Sequence, residues 1–401
     1  MRTVKVVGAG FSGLVTAYFL VKKGFTVRVV EKTSRAGGLI RTIRTPHGLV
    51  ETAANGILSS ARLEAMCADT GVPLQTTRRA GRKRFIYRDK PRQVPLDLSD
   101  MAKLLLRFGL NLTALGPRPF ETISHWGVRV LGKGATDYLL APALGGIYAG
   151  DPNEMSASLI FGRARLPDHL NTYRPVKVKV RGTVAPASGM QQLIDGLCDY
   201  LTKAGAEFVF NHDERSSADE PTIICLSARA ASDYLANSAP ELSAALARIQ
   251  MLSLVTSTCF FAADAATLKG FGCLFPRDQG FRARGVLFND CIFEGRGHGE
   301  TWIFGGALDA KVVNLDDSDL KNLIAGEREH FYRKNDQPVE CHITRWPMTL
   351  PHYSIELERV LMTLPAPPPN MQLVGNYLGR IGLAKILERA AYVVDHFNET
   401  A

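Results

Sequence analysis

The stretch Val4-Lys5-Val6-Val7-Gly8-Ala9-Gly10-Phe11-Ser12-Gly13-Leu14 decides the fold. A short β-branched run stops at a glycine turn, after which Leu14, Ala17, Tyr18 and Val21 recur at helical spacing. Gly24 stands where a helix-ending glycine belongs and residues 26–30 resume a strand, so the opening reads as strand, helix, strand. In such a unit the first glycine permits a tight turn. The second lets backbone approach a pyrophosphate, and the third lets the helix pack closely. Glu31 closes the second strand, where its carboxylate can accept hydrogen bonds from ribose hydroxyls, and the helix N-terminus faces the phosphates with partial positive charge. Gly8, Gly10, Phe11, Ser12, Gly13, Glu31 and the adjoining Lys32 are therefore expected to bind a dinucleotide.

Working outward, αβ patterns recur at 190–201 with 207–210, at 222–226, and at 371–374 ahead of the glycine-rich 375–382 and a final helix to about His396. Between them, residues 97–165 read as helical, and 251–310 as strand-rich. The predicted fold class is α/β, with a Rossmann-like dinucleotide domain built from discontinuous segments 1–80, 184–250 and 365–401. A mainly helical region, 95–165, and a strand-rich substrate domain, 81–94 with 166–183 and 251–364, are inserted. The Pro-rich 364–370 marks the return to the first domain.

Composition bounds the function. With 401 residues, 46% hydrophobic and 22% charged, the chain is neither disordered nor collagen-like. Its 48 basic and 39 acidic residues leave a charge of +9, which favours an acidic ligand or an anionic surface. That charge is dispersed and no recognised module accompanies it, so no nucleic-acid partner is expected. The seven cysteines are scattered without a CxxC pair, which reads as reduced thiols with no disulfide framework. The histidines show no HxxxH spacing, so no metal site is expected. No uncharged run reaches the roughly 18 residues a spanning helix needs. Met101, Leu104, Leu105, Phe108 and Leu112 share one helical face, opposite Lys103, Arg107 and Asn111, a pattern that fits either a core face or a membrane interface. The expected location is cytoplasmic, or peripheral on the cytoplasmic side of a membrane, and not secreted.

The residues after Glu31 narrow the cofactor. Arg35-Ala36-Gly37-Gly38-Leu39-Ile40-Arg41-Thr42 places a glycine pair just past the ribose-binding acid, and this arrangement resembles the FAD-binding amine-oxidase superfamily. The resemblance implies FAD, held also by Gly37, Gly38 and Leu39. Residues 36–48 with Glu51 and Asn55, then Gly146-Ile147-Tyr148-Ala149-Gly150-Asp151-Pro152, are similar to the protoporphyrinogen oxidase branch. Residues 188–195, 270–276, 375–379 and 382–383 agree with the same branch in order. Its implied chemistry is dehydrogenation of a porphyrinogen to a porphyrin, with oxygen as acceptor and hydrogen peroxide released, in three two-electron cycles. The flavin carries the reaction, so no catalytic side chain is assigned. Gly375, Asn376, Gly382 and Leu383 would lie against the flavin, with the last helix stabilising its reduced anion. Asn55, Arg84, Leu274 and Leu287 fall on substrate positions, Arg84 as a propionate partner and the leucines against the rings. A homodimer and peripheral membrane contact are further expectations.

Three positions depart from the branch: Ala53 replaces a glycine, residues 211–221 replace a longer meander that carries an adenine contact, and Ile303 replaces an aromatic residue. Other readings stay open at this point. Coproporphyrinogen III, with four carboxylates, would call for a second basic anchor, for which Arg163, Arg165, Arg282 and Arg284 are candidates. An amine or a carotenoid-like polyene would keep the flavin, and a non-catalytic binding protein would keep only the fold.

Overall fold

Val4 and Val6 point to one side of the first strand and Val7 to the other, and all three are buried, so this strand must be covered on both faces. The computed structural model describes residues 3–110, 115–171, 182–216, 220–379 and 381–397. Among them, five parallel strands form one sheet in the order Glu207–Val209, Thr26–Val30, Thr3–Val7, Thr222–Ile224, Met371–Leu373. Helices Phe11–Lys22, Gln191–Lys203 and Leu383–His396 bury Leu14, Leu197 and Val393 with Val4 and Val6 on one face. Ala228–Leu235 and Ile355–Met362 bury Leu235 and Leu357 with Val7 and Ile224 on the other. The sheet is thus assembled from strands more than three hundred residues apart, as the recurrent αβ signals predict.

Lys5 also lies in that first strand and is buried, where its ammonium meets Glu214 at 2.9 Å and Glu220 at 3.0 Å. Burial lowers its pKa, but the hydrogen bonds to the two carboxylates outweigh this and raise it overall. Both acids come from the short segment after the edge strand. That segment also bonds back through Asn211 N to Thr33 O and His212 N to Glu31 O, which extends the pairing of the edge strand with Thr26–Val30 past the end of both strands.

A second sheet of seven strands runs in the order Glu340–Pro351, Met251–Phe260, Gly299–Gly305, Gly285–Phe288, Gly272–Leu274, Arg84–Arg88, Lys90–Arg92. One face, carrying Val255, Cys273, Val286, Trp302 and Phe304, packs on helix Asp317–Tyr332. Buried Glu300 accepts there from Arg328 Nε at 3.2 Å and Tyr332 Oη at 2.8 Å.

The helical region comprises Leu98–Leu110, Ile123–Val130, a short turn Lys133–Ala135, a π-helical Thr136–Leu140 and Ala141–Tyr148. Helix Leu98–Leu110 does not join the core: Leu98 is 86% exposed and Leu105 71%, with Met101 and Leu106 also exposed. It is held by polar ties instead, Arg88 to Asp97 and Asp100 and Arg107 to the carbonyls of Val128 and Arg129. Asn111 and Leu112 lie outside the described residues. No helix among the described residues is long and apolar enough to cross a membrane.

The cysteine reading needs correction. Cys259 and Cys341 are disulfide-bonded across directly paired antiparallel strands, although 82 residues separate them in sequence. Strand register brings them together, which spacing along the chain does not reveal. The other five cysteines are free. Thiol titration of the denatured protein should give five groups before reduction and seven after it; seven beforehand would exclude the bridge.

Candidate flavin site and cleft

The glycine turn behaves as its spacing requires. Gly8 has φ +100°, and a methyl added at Gly13 would stand 1.8 Å from the Gly8 carbonyl oxygen. Gly10 begins helix Phe11–Lys22, which has no side-chain cap and no acid in its first turn, so its leading N–H groups remain available to an anion. Phe11 is buried in the core, so only its backbone can meet a ligand; Ser12 is half-buried.

The twin-glycine strip lies directly alongside. Gly37 N donates to Ala9 O at 2.8 Å, the backbone bridges Gly10 to Gly37, and a methyl at Gly38 would sit 3.2 Å from Gly10 Cα. Gly37 and Gly38 both have positive φ. Glu31 clasps the same turn, its Oε2 accepting from Ala9 N at 2.8 Å and its Oε1 from Thr33 N at 2.9 Å and Thr33 Oγ1 at 2.8 Å. Each carboxylate oxygen accepts more than one bond in suitable geometry, so Glu31 can also receive ribose hydroxyls. Lys32 points to Asp213 on the surface, and Leu39 is 41% exposed beside the strip.

The closing segment reaches the same end of the sheet. Strand Met371–Leu373 pairs with Thr222–Ile224, Gly375 and Asn376 follow, and Tyr353 Oη donates to Asn376 O. Gly382 starts helix Leu383–His396 with φ +96°, no side-chain cap and open space around it, and that helix packs on the core of the first helix. Two uncapped helix N-termini, a cradle that a Cβ would fill and an acid at the strand end fit an elongated FAD.

Alternation within the second sheet defines what faces this cradle. Because Phe85, Cys273, Val286 and Trp302 turn to the far core, Arg84, Leu274, Leu287 and Ile303 turn to the near side. Leu287 packs against the nucleotide-domain core, and Leu274 lies against Gly146. Arg84 is exposed, its guanidinium 4.2 Å from the Phe271 ring centre. Asn55 is half-buried in the loop ahead of Ile57–Leu58, and Ala53 is half-buried just before it.

Sequence reasoning missed the joint between the two halves. Thr52 O accepts from Trp346 Nε1 at 2.7 Å and Thr256 Oγ1 at 3.1 Å. Next to it, buried Glu51 accepts from Thr42 Oγ1 and Met190 N and pairs with buried Arg296. A tryptophan in a strand must place its N–H somewhere, and that was the one available signal.

These features define an α/β flavoprotein. Residues 11–382 match the description of the flavin containing amine oxidoreductases, and the chain belongs to that family. It is an FAD-dependent oxidoreductase. A chloroplastic protoporphyrinogen oxidase of Nicotiana tabacum is 24% identical to it over 96% of this chain and 83% of its own length. A crystal structure from Exiguobacterium sp. 255-15 superposes with TM-score 0.79 at 17% identity, covering 100% of this chain and 99% of that one. Cyclohexylamine oxidase from Brevibacterium oxydans IH-35A superposes at 0.72 and 16% identity, with 99% of each chain covered.

Two predictions follow from the geometry. Gly38→Val should lower FAD occupancy of the purified protein at least tenfold, read from flavin absorbance, with the circular dichroism of the fold retained. Full occupancy would place the cofactor elsewhere.

The second concerns Glu327, whose buried carboxyl accepts from Arg282 N at 2.7 Å and Ala283 N at 3.1 Å. Burial raises its pKa to about 7 against the opposing backbone bonds. Between pH 4.5 and about 7 the folded state therefore holds an extra proton, and stability falls as pH rises. Glu327→Gln should remove on the order of 3 kcal/mol of that pH dependence. Denaturant midpoints at pH 5 and pH 8 measure it, and equal slopes in both proteins would refute the assignment.

Proposed function

We propose that the chain oxidises a porphyrinogen to the porphyrin, with FAD as hydride acceptor and oxygen as terminal oxidant. Protoporphyrinogen IX to protoporphyrin IX, in tetrapyrrole biosynthesis, is the reaction its relatives support. The observation that carries the reading is the apolar sheet face of Leu274, Leu287 and Ile303, edged by Arg84, lying across from a flavin cradle. When bound, FAD supplies a two-electron acceptor for a methylene-bridge hydride. The chain's own part is to position. Leu274 and Leu287 would flank the macrocycle, Arg84 would hold a propionate with two parallel N–H bonds, and Asn55 would stand near the reacting edge.

Gly10, Gly38 and the first-turn N–H groups would hold the pyrophosphate, and Gly382 with Leu383 would offer a helix N-terminus to the flavin's pyrimidine end. Ala53 adds one methyl near that ring. Six electrons leave the substrate in three turnovers, consuming three oxygen molecules and releasing three of hydrogen peroxide. The exposed Leu98, Met101, Leu105 and Leu106 supply an apolar face by which the protein would rest on a membrane that dissolves such a substrate.

FAD-loaded protein should convert protoporphyrinogen to a fluorescent porphyrin only when oxygen is present. Arg84→Ala should raise KM by roughly ten- to a hundredfold, with a smaller change in kcat, as expected for one charge-assisted anchor. Loaded enzyme that is reduced by neither protoporphyrinogen nor coproporphyrinogen would overturn the proposal.

A further inference from the structure

A cleft of about 360 Å³ opens between the helical region and the second sheet, at the lower end of the size range of small-molecule sites. Its walls include none of Arg84, Leu274, Leu287 or Ile303, so it is separate from the apolar face assigned to the macrocycle. Phe275, Pro276, Pro142 and Leu308 give it an apolar lining, and three cations and three carboxylates stand among them. Those charges sort into two groups.

The first group is basic. Arg284 is 9% exposed; its Nε donates to Gly305 O at 2.6 Å and its Nη1 to Gly145 O at 3.4 Å, while its buried Nη2 has no partner among the described residues. Arg277 is partly exposed and makes no hydrogen bond or ion pair among the described residues. Burial lowers the pKa of both, that of Arg284 to about 10 with a further push from the charge of Arg277, and Asp309 and Asp151 oppose this only in part. Asp309 is already held by Arg282 at 3.0 and 3.1 Å, which leaves half-buried Asp151, itself accepting from Asn153 N at 2.9 Å, to face two guanidiniums. This side of the cleft is positive.

The second group is acidic. Asp278 follows Arg277 in sequence, but its carboxylate reaches Tyr138 on the π-helical turn, whereas Arg277 lies in range of Asp151 and Asp309. The bond to Asp278 raises the Tyr138 pKa to about 12, so the phenol stays neutral. Lys133 pairs with Asp137 and also feels Asp278, so two carboxylates share one ammonium. This side is negative.

A simple anion would be repelled by Asp278 and Asp137, and a simple cation would leave Arg284 uncompensated. A molecule with both charges answers both groups. We propose that this cleft binds a free amino acid with an apolar side chain, its carboxylate against Arg284 and Arg277, its ammonium toward Asp278, and its side chain along Phe275 and Pro276. Arginine suits the carboxylate because its planar fork donates two parallel bonds. The site stands apart from the porphyrinogen reading, whose residues it does not share.

The test titrates L-leucine into the FAD-loaded protein by calorimetry, alongside 4-methylpentanoate and 3-methylbutylamine, which keep the skeleton but lack the ammonium or the carboxylate. L-Leucine should bind with a Kd of about 1 mM or tighter, and each singly charged analogue at least tenfold more weakly. Arg277→Gln and Asp278→Asn, both at exposed positions, should each weaken L-leucine at least tenfold while circular dichroism and flavin absorbance match wild type.

Absence of L-leucine binding overturns the proposal, as does equal affinity for either analogue or for both variants. Anaerobic bleaching of the flavin by L-leucine would also overturn it, because the amino acid would then sit at the flavin and not in this cleft.

Discussion

Two stretches of bare backbone meet where Gly10 passes Gly38, and the rest of the molecule is arranged to let them do so. A side chain on either would fill the groove a diphosphate needs: a Cβ added at Gly38 would stand 3.2 Å from Gly10 Cα, and one at Gly10 3.9 Å from Gly38 Cα. Glycine alone would leave this contact loose, because its backbone is the most mobile of any residue. The fixing comes from outside the groove: Glu31 ties down Ala9 and Thr33, Gly37 bonds to Ala9, and the helix behind Gly13 packs hard on Val6. A flexible sequence is thereby held in one shape, and binding loses less conformational entropy than the composition suggests.

The second constraint is a single carbonyl. Thr52 sits in the nucleotide half but gives both lone pairs to the strand-rich half, one to Thr256 and one to Trp346. A buried carbonyl at an internal junction has to find donors, and here the donors come from adjacent strands of the second sheet. A one-residue slip in either strand would turn its donor to the opposite face and open the joint. The same register puts Leu274, Leu287 and Ile303 on the sheet face opposite the Trp302 core, so the tie between the halves and the pattern of that face have one cause.

Much of this was legible in the sequence because it is local. The strand, turn and helix around Gly8 to Gly13, the αβ returns and the strand-rich 251–310 follow from period and punctuation alone. What stayed hidden depends on partners distant in the chain. Cys259 and Cys341 meet because two strands pair in a particular register. Helix Leu98–Leu110 has a convincing apolar face, but periodicity cannot say what covers it, and in this fold nothing among the described residues covers Leu98 or Leu105. The short segment after Val209 looked like a deficit until its acids were found on buried Lys5.

The arginines between 277 and 284 show how three-dimensional context sorts identical side chains. Arg282 and Arg284 are two residues apart and would share a face in a regular strand, yet one is exposed and paired and the other is buried. Glu327 makes the difference. By gripping Arg282 N and Ala283 N it holds the chain in a bend just before strand Gly285–Phe288, and from that bend the Arg284 guanidinium reaches the Gly145 carbonyl of helix Ala141–Tyr148. A buried acid near its titration point thus orients a buried cation it does not touch, through two backbone N–H groups. The positive charge that composition reported only as a total of +9 becomes, at this bend, a directed donor at the edge of the cleft.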